Sequence, residues 1–134
     1  MAHDVGPRDI SRSITPVKEN YLKILLELSK GEAIRSSDVA ASLNVTKASV
    51  SAMMKRFSEE GYITMEKYGA ITLTAKGRAH AAAVKRRYNL LKAFFIGVLG
   101  VDTATAAADA CQIEHCISAE SLRKMQERLK RVSP

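Results

Sequence analysis

The stretch ADACQIEHCIS, Ala108 to Ser118, carries both cysteines of a 134-residue chain and one of its three histidines. Thiolate, carboxylate and imidazole together are the donors that borderline divalent metals take. If the stretch is helical, each residue advances about 100°. Cys111, Glu114 and His115 then stand at i, i+3 and i+4 and share one face, whereas Cys116 points away. A disulfide between the cysteines would need Cα atoms closer than about 7 Å, which that spacing does not give. On the residues alone, a buried cysteine beside a solvent-facing Glu–His pair is the simpler reading, and a metal site stays open beside it.

Such a helix needs a scaffold, and the composition suggests one. Hydrophobic residues are 46% of the chain, aromatics only 5%, and Trp is absent. A core of Ala, Leu, Ile and Val points to packed helices rather than a β-sandwich. No apolar run approaches the roughly 18 residues of a membrane span, and the opening MAHDVGPRDISRS lacks a signal peptide's apolar stretch. The expected setting is cytoplasmic, without a membrane, where two cysteines stay reduced.

The net charge of +7 is unevenly placed. From Val39 to Ser58 there is no acid, and Lys47, Lys55 and Arg56 are the only charges. A second basic block runs from Lys67 to Lys92. Between Lys92 and Arg123 the sign reverses, with Asp102, Asp109, Glu114 and Glu120. Basic surface attracts polyanions and the acidic window attracts cations, while a solvated charged face is the plain alternative for each.

The local signals give an order of elements. Residues 1–13 read as a flexible tail. TPVKENYLKILLELSKG predicts a helix capped by Thr15 with Pro16 first, an apolar stripe of Val17, Tyr21, Ile24, Leu25 and Leu28, and Gly31 as its end. A short helix follows, capped by Ser36 or Ser37 and burying Val39, Ala40 and Leu43. Asn44 and Val45 turn, and Thr46 caps a third helix with Val50, Met53, Met54 and Phe57 inward and Gly61 as its stop. YITMEKYGAITLT predicts a β-hairpin with Tyr62, Thr64 and Glu66 on one face, Ile63 and Met65 on the other, and a turn at KYGA. Thr74 caps a long helix to about Val98. Asp102 opens the helix of the Cys–Glu–His stretch, expected to run to Ile117, and Ser118 opens the last.

Helix, short helix, tight turn, longer helix and hairpin is the order of a winged helix-turn-helix. The fold class is therefore mainly α: a winged helix-turn-helix with a β-hairpin wing over residues 14–75, then an all-α domain over 76–134 that the apolar surplus of its long helix makes a dimerisation domain. At the start of the third helix, Thr46, Lys47, Ala48, Ser49 and Ser51 are small, polar or cationic. They suit a major groove. Lys55 and Arg56 can contact phosphates, Lys67 and Tyr68 can serve as the wing tip, and Ser36 and Ser37 complete the candidate DNA-contacting set. The apolar residues Leu90, Leu91, Phe94, Phe95 and Val98 exceed what a winged helix covers and imply a second copy.

TPVKENYLKILLEL, SSDVAASLNVTKASVSAMMKRFSEEGYI, EKYGAITLTAKGRAHA and ACQIEHCIS together make the chain resemble the diphtheria-toxin-repressor and manganese-transport-repressor family of bacterial metalloregulators, over about Thr15 to Ser118. The resemblance implies a homodimer that binds an operator in double-stranded DNA when a divalent metal is present. It implies metal ligands at Cys111, Glu114 and His115 and a further one in the first helix, at Asn20. The chain departs from the pattern there, since Asp or Met is usual at Asn20 and Lys23 replaces a carboxylate. A second, ancillary site is not expected, because Tyr88 and Ala107 occupy its positions. The SH3-like domain of longer members is expected to be missing.

The donor set favours Fe²⁺, with Mn²⁺, Co²⁺, Ni²⁺ and Zn²⁺ open. His80 and His3 have no partners at ligand spacing and read as surface residues. The expected function is a repressor of iron- or manganese-uptake genes. Two rivals stand beside it: a DNA-binding regulator that has lost metal control, and a winged-helix protein-interaction module. No nucleophile–base pair or phosphate-binding glycine loop suggests an enzyme.

Overall fold

A computed structural model describes residues 15–30 and 33–132. The expected tail, His3 and the helix stop at Gly31 lie outside the described residues. The elements are α1 (Pro16–Ser29), α2 (Ser36–Leu43), α3 (Lys47–Glu59), β1 (Ile63–Met65), β2 (Ile71–Leu73), α4 (Ala75–Gly97), α5 (Thr103–Ile113) and α6 (Ala119–Val132). Among the described residues the fold is mainly α with one two-stranded antiparallel hairpin, as the sequence implies. The chain divides into two compact units, Pro16–Arg86 and the residues from Arg87 onward, so α4 runs through both. No helix among the described residues is long and apolar enough to cross a membrane.

In the first unit the core is built from one face of each helix. Tyr21, Leu22 and Leu25 of α1, Val39 of α2, and Val50, Met54 and Phe57 of α3 are buried with Ile34, Ile63 and Ile71. The α1 stripe is rotated from the expected one: Leu22 is fully buried and Val17 is exposed. The first turn of a helix fringes the core, which leaves Val17 without a cover. Phe57 stands between Tyr21 and Tyr62 in edge-to-face contacts, with centroids at 6.3 and 5.5 Å. Each such fully buried side chain contributes about 1.5–3 kcal/mol by leaving water.

The start of α2 differs from expectation. Arg35, extended at φ −107° and ψ 143°, is the N-cap, and no side chain caps the helix. Ile34 pairs with Ile71 through two backbone hydrogen bonds of 3.0 and 2.9 Å, so the chain stays extended through Arg35. The Arg35 carbonyl accepts from the Asp38 and Val39 amides, leaving Ser36 and Ser37 inside the first turn. At α3 the cap is as read: Thr46 Oγ1 accepts from the Ser49 amide at 3.0 Å. Gly61, at φ +86°, follows the C-cap Glu60.

The hairpin register pairs Ile63 with Leu73, Thr64 with Thr72 and Met65 with Ile71. Ile63, Ile71 and Leu73 face the core, while Met65 at the far end of that face is 46% exposed. Tyr62, expected beside Thr64, instead precedes the strand and is buried, with the Lys76 ammonium 4.6 Å from its ring centroid. His80 is half-buried rather than a surface residue, its ring 5.3 Å from that of Tyr62. Thr74 Oγ1 accepts from the Gly77 amide and donates to the Gly61 carbonyl, so one hydroxyl caps α4 and ties it to the end of α3. A Cβ at Gly77 would stand 2.0 Å from the Tyr62 carbonyl oxygen. Only glycine permits that approach.

In the second unit Asp102 caps α5 by accepting from the Thr105 amide at 3.2 Å, and Ser118 caps α6 by accepting from that of Ser121 at 3.1 Å. Hydrogen bonds from Thr105 hold the Asp102 carboxyl below its ordinary range. Leu91, Ala106 and Ala110 are buried. The amphipathic α6 has no fully buried residue. Phe94, Val98, Leu99 and Met125 line a groove of about 530 Å³ whose rim carries Lys124, Arg128 and Arg131.

Candidate nucleic-acid interface and metal centre

The outward side of α3 is continuous. Thr46, Lys47, Ala48, Ser49, Ser51, Lys55 and Arg56 are all exposed, while Val50, Met54 and Phe57 behind them are at most 1% exposed. Every contact-competent side chain is therefore mounted on a helix that cannot rotate without unpacking its core. The Thr46 hydroxyl also donates to Ser49 Oγ at 3.0 Å, which orders the two small polar groups of the first turn.

The structure brings part of the expected α2 set to this face. Ser36, Ser51 and Lys55 line one depression of about 300 Å³, together with Met54, Ser58, Glu59 and Met65. Ser37 is exposed but does not line it. Ser58 was not singled out from the sequence. The i, i+4, i+7 spacing of Ser51, Lys55 and Ser58 is the signal that finds it.

Lys67, Tyr68 and Gly69 form the tight turn at the hairpin tip, with Tyr68 and Gly69 at positive φ, and Lys67 and Tyr68 are both exposed. The turn is closed by Gly69 N–H donating to the Glu66 carbonyl at 3.1 Å and Glu66 N–H donating to that of Ala70 at 2.8 Å.

The Cys–Glu–His stretch is less regular than its sequence suggests. α5 ends at Ile113, Glu114 is its C-cap, and residues 114–116 form a turn. The Cys116 amide donates to the Ile113 carbonyl at 2.9 Å, one residue tighter than α-helical bonding, while that of Ile117 keeps the α-helical bond to the same carbonyl at 3.1 Å. The helix expected to continue to Ile117 therefore gives way to a tightened last turn.

Glu114 is fully buried, and its Oε1 stands 3.3 Å from Nε2 of His115. The Arg87 side chain, itself 8% exposed, donates from Nε to the Glu114 carbonyl at 2.7 Å. That charged bond pins the turn to α4, and nothing in the local sequence of the stretch announces it.

Cys111 and Cys116 are both exposed and form no disulfide, and Cys116 Sγ lies 3.5 Å from the Ile113 carbonyl oxygen. Among the described residues no three His, Cys, Asp or Glu side chains are close enough together to hold an ion. Glu114 and His115 are thus brought together, and with Cys111 they do not form such a group. The donors nonetheless suit a divalent transition metal in type: one thiol, one carboxylate and one imidazole. Asn20 is half-buried on α1, in the other unit. On the same helix Glu19 and Lys23 are buried, at 2% and 8% exposure; Glu19 was not weighed from the sequence.

Of the residues expected between copies, Leu90, Phe94, Phe95 and Val98 are half-buried. Leu91 is fully buried within the chain and has no area to give to a second copy. It belongs to the core, because it occupies the inward side of α4.

Residues 13–71 match the family model described as iron dependent repressor, N-terminal DNA binding domain, and residues 74–133 match its metal binding and dimerisation domain. The chain belongs to the iron-dependent repressor family. These are metal-dependent transcriptional regulators that bind DNA, and not enzymes. The chain is 35% identical over 115 residues to the HTH-type transcriptional regulator MntR of Lysinibacillus sphaericus, covering 84% of this chain and 81% of that protein. It is 33% identical over 110 residues to the HTH-type transcriptional regulator MJ0568 of Methanocaldococcus jannaschii, covering 81% and 88%. Among solved structures it is similar to the metal-dependent transcriptional regulator MtsR, with a TM-score of 0.78 at 31% identity. That likeness covers 87% of this chain and 55% of the solved one, so the chain spans about half the length of that relative. Membership bears out the resemblance drawn from the four sequence segments.

Proposed function

We propose that the chain is a metal-responsive repressor that acts as a homodimer on an operator in duplex DNA. The observation that carries this reading is the exposed α3 face from Thr46 to Arg56, which bears three cations and no carboxylate over a fully buried side. The N-terminal half of α3 enters the major groove with Thr46, Lys47, Ala48, Ser49 and Ser51 toward base edges. Lys55 and Arg56, with Ser36 and Ser37 of α2 and Lys67 and Tyr68 of the wing, contact the backbone and set register. Leu90, Phe94, Phe95 and Val98 contribute to contact between copies, and the groove between α4 and α6 leaves apolar surface for it.

Cys111, Glu114 and His115 are the proposed metal ligands, with Asn20 of α1 as the fourth that the resemblance implies. A divalent ion held there, Fe²⁺ first, supplies a fixed positive charge that favours one arrangement of these donors over others. Regulation then follows from the difference in affinity between arrangements. Cys111 and His115 must each be unprotonated to act as donors, so metal affinity falls on acidification. Arg87 holds the Glu114 backbone throughout, which limits the rearrangement to side chains and to the turn's last residues.

A second reading, operator binding without metal control, is favoured by Asn20 and Lys23, which stand where the resemblance implies metal-ligating side chains. One experiment separates the two: fluorescence anisotropy of labelled duplex over a salt series, in chelator and in anaerobic Fe²⁺. The log of affinity should fall linearly with log salt, with metal displacing the line upward. A salt-dependent line that metal leaves unmoved supports the second reading, and affinity indifferent to salt contradicts both.

A further inference from the structure

We propose that Lys76 and Glu60 are positioning residues for operator recognition: they fasten the C-terminal end of α3 to α4 and α1, and so fix the direction in which α3 points. The inference rests on the operator-binding reading above. Neither residue belongs to the set assigned there to DNA contact.

After α3 the chain passes through Glu60, Gly61 and Tyr62 before it enters β1. The carbonyl of each accepts a hydrogen bond from the start of α4 or from the residue that caps it. Lys76 Nζ donates to that of Glu60 at 2.7 Å, Thr74 Oγ1 to that of Gly61 at 2.6 Å, and the Thr74 amide to that of Tyr62 at 3.0 Å. The Lys76 ammonium thus sits at the C-terminal end of a helix, where the helix dipole favours a cation. From α1, Lys18 Nζ donates to both carboxylate oxygens of Glu60, at 3.0 and 2.8 Å. Glu60 is therefore held twice, by its carbonyl to α4 and by its carboxylate to α1.

The buried side of α3 resists rotation about the helix axis, and a clamp at one end resists tilt. Thr46 lies roughly 20 Å from Glu60 along the helix. A tilt of about 5° at the clamp would move the base-facing turn by about 2 Å, more than a hydrogen bond to a base edge tolerates. Arg56, whose carbonyl accepts from the Glu60 amide at 2.9 Å, would move with it. With the clamp made, α3 and the first turns of α4 move as one body.

Charge alone gives the two residues opposite roles toward a polyanion. Removing the Glu60 carboxylate would strengthen DNA binding, and removing the Lys76 ammonium would weaken it. As positioning residues, both are needed for it.

The test uses the full chain with anaerobic Fe²⁺. A duplex is selected from a randomised pool by the wild type, and its affinity is compared with that of a scrambled duplex over a salt series, with melting curves alongside. Glu60→Ala is expected to bind the selected duplex about twofold to fivefold more weakly, against the sign of the lost charge, a modest effect because its ion pair with Lys18 is partly exposed. Lys76→Met is expected to bind it about threefold to tenfold more weakly with an unchanged log–log salt slope. The scrambled duplex should lose less in both variants, and Lys76→Arg, which keeps a charged donor, should restore discrimination. A slope shallower by about 1 in Lys76→Met with discrimination intact would mark a direct phosphate contact and overturn the proposal. Loss by one factor on both duplexes, which reflects less folded protein, overturns it too, as does unchanged or tighter binding of the selected duplex by Glu60→Ala. In each of these cases the wild type still discriminates and the operator reading stands. A wild type that selects no duplex removes that reading and this proposal with it.

Discussion

On α3, the exposed residues from Thr46 to Arg56 stand over a side where Val50 and Phe57 are fully buried and Met54 is 1% exposed. At the end of α5 the situation is different. The helix stops at Ile113, one residue before Glu114, and the three donors it was expected to align are not gathered. The first surface is finished by folding alone. The second carries its donor side chains on a turn that the Arg87 bond holds to α4. A surface that reads DNA needs rigidity, because groove contacts must be in register before binding. A metal sensor needs two arrangements of its ligands, because an ion that meets a completed site has nothing to shift.

Breaking the rigid side should produce the largest effect. Phe57→Ala removes the ring between Tyr21 and Tyr62 and should cost about 3–5 kcal/mol in chemical denaturation, enough to unfold a marginal winged helix. Arg87→Met tests the pin on the other side. It strands a buried carbonyl and should cost about 1.5–3 kcal/mol, with metal affinity falling while DNA binding without metal persists. A metal affinity unchanged in Arg87→Met would mean that the turn is set by α5 alone. Thr46→Ala should cost about 1 kcal/mol through the lost cap and loosen the first turn of α3, weakening DNA binding more than global stability suggests.

The smallest effect concerns pH. The Thr105 hydrogen bonds lower the Asp102 carboxyl from 3.8 in the folded state. A lowered folded value means that this contribution is complete above the ordinary value and lost as pH falls through the folded one. Asp102→Asn, still a competent cap, should remove that acid-side dependence in melting curves taken below about pH 4.

The same contrast decides what the sequence made legible. The caps at Thr46, Thr74 and Asp102 are local, since each side chain accepts from an amide three residues on. Their residue types announce them. The N-cap of α2 is not local: Ile34 must first pair with Ile71, far along the chain, to hold Arg35 extended, so the serines after it look like caps and are not. Tyr62 departs from the strand alternation for a related reason, because its partners Phe57, Lys76 and His80 lie outside the strand. At the candidate metal centre the donor types and spacing were readable. The helix end and the Arg87 bond were not, because they depend on α4, 27 residues away in the chain. The family segments carried the functional assignment where periodicity alone left a buried cysteine and a Glu–His pair as the simpler reading.

The most direct test of metal-responsive operator binding compares the two cysteines. Purified apoprotein is titrated with Fe²⁺ without oxygen while anisotropy of labelled duplex is followed, for the wild type, Cys111→Ala and Cys116→Ala. The expected result is metal-stimulated binding in the wild type and in Cys116→Ala, and in Cys111→Ala only the basal affinity seen in chelator. Stimulation that survives in Cys111→Ala and disappears in Cys116→Ala would contradict the account, because it would place the metal on the other side of the turn.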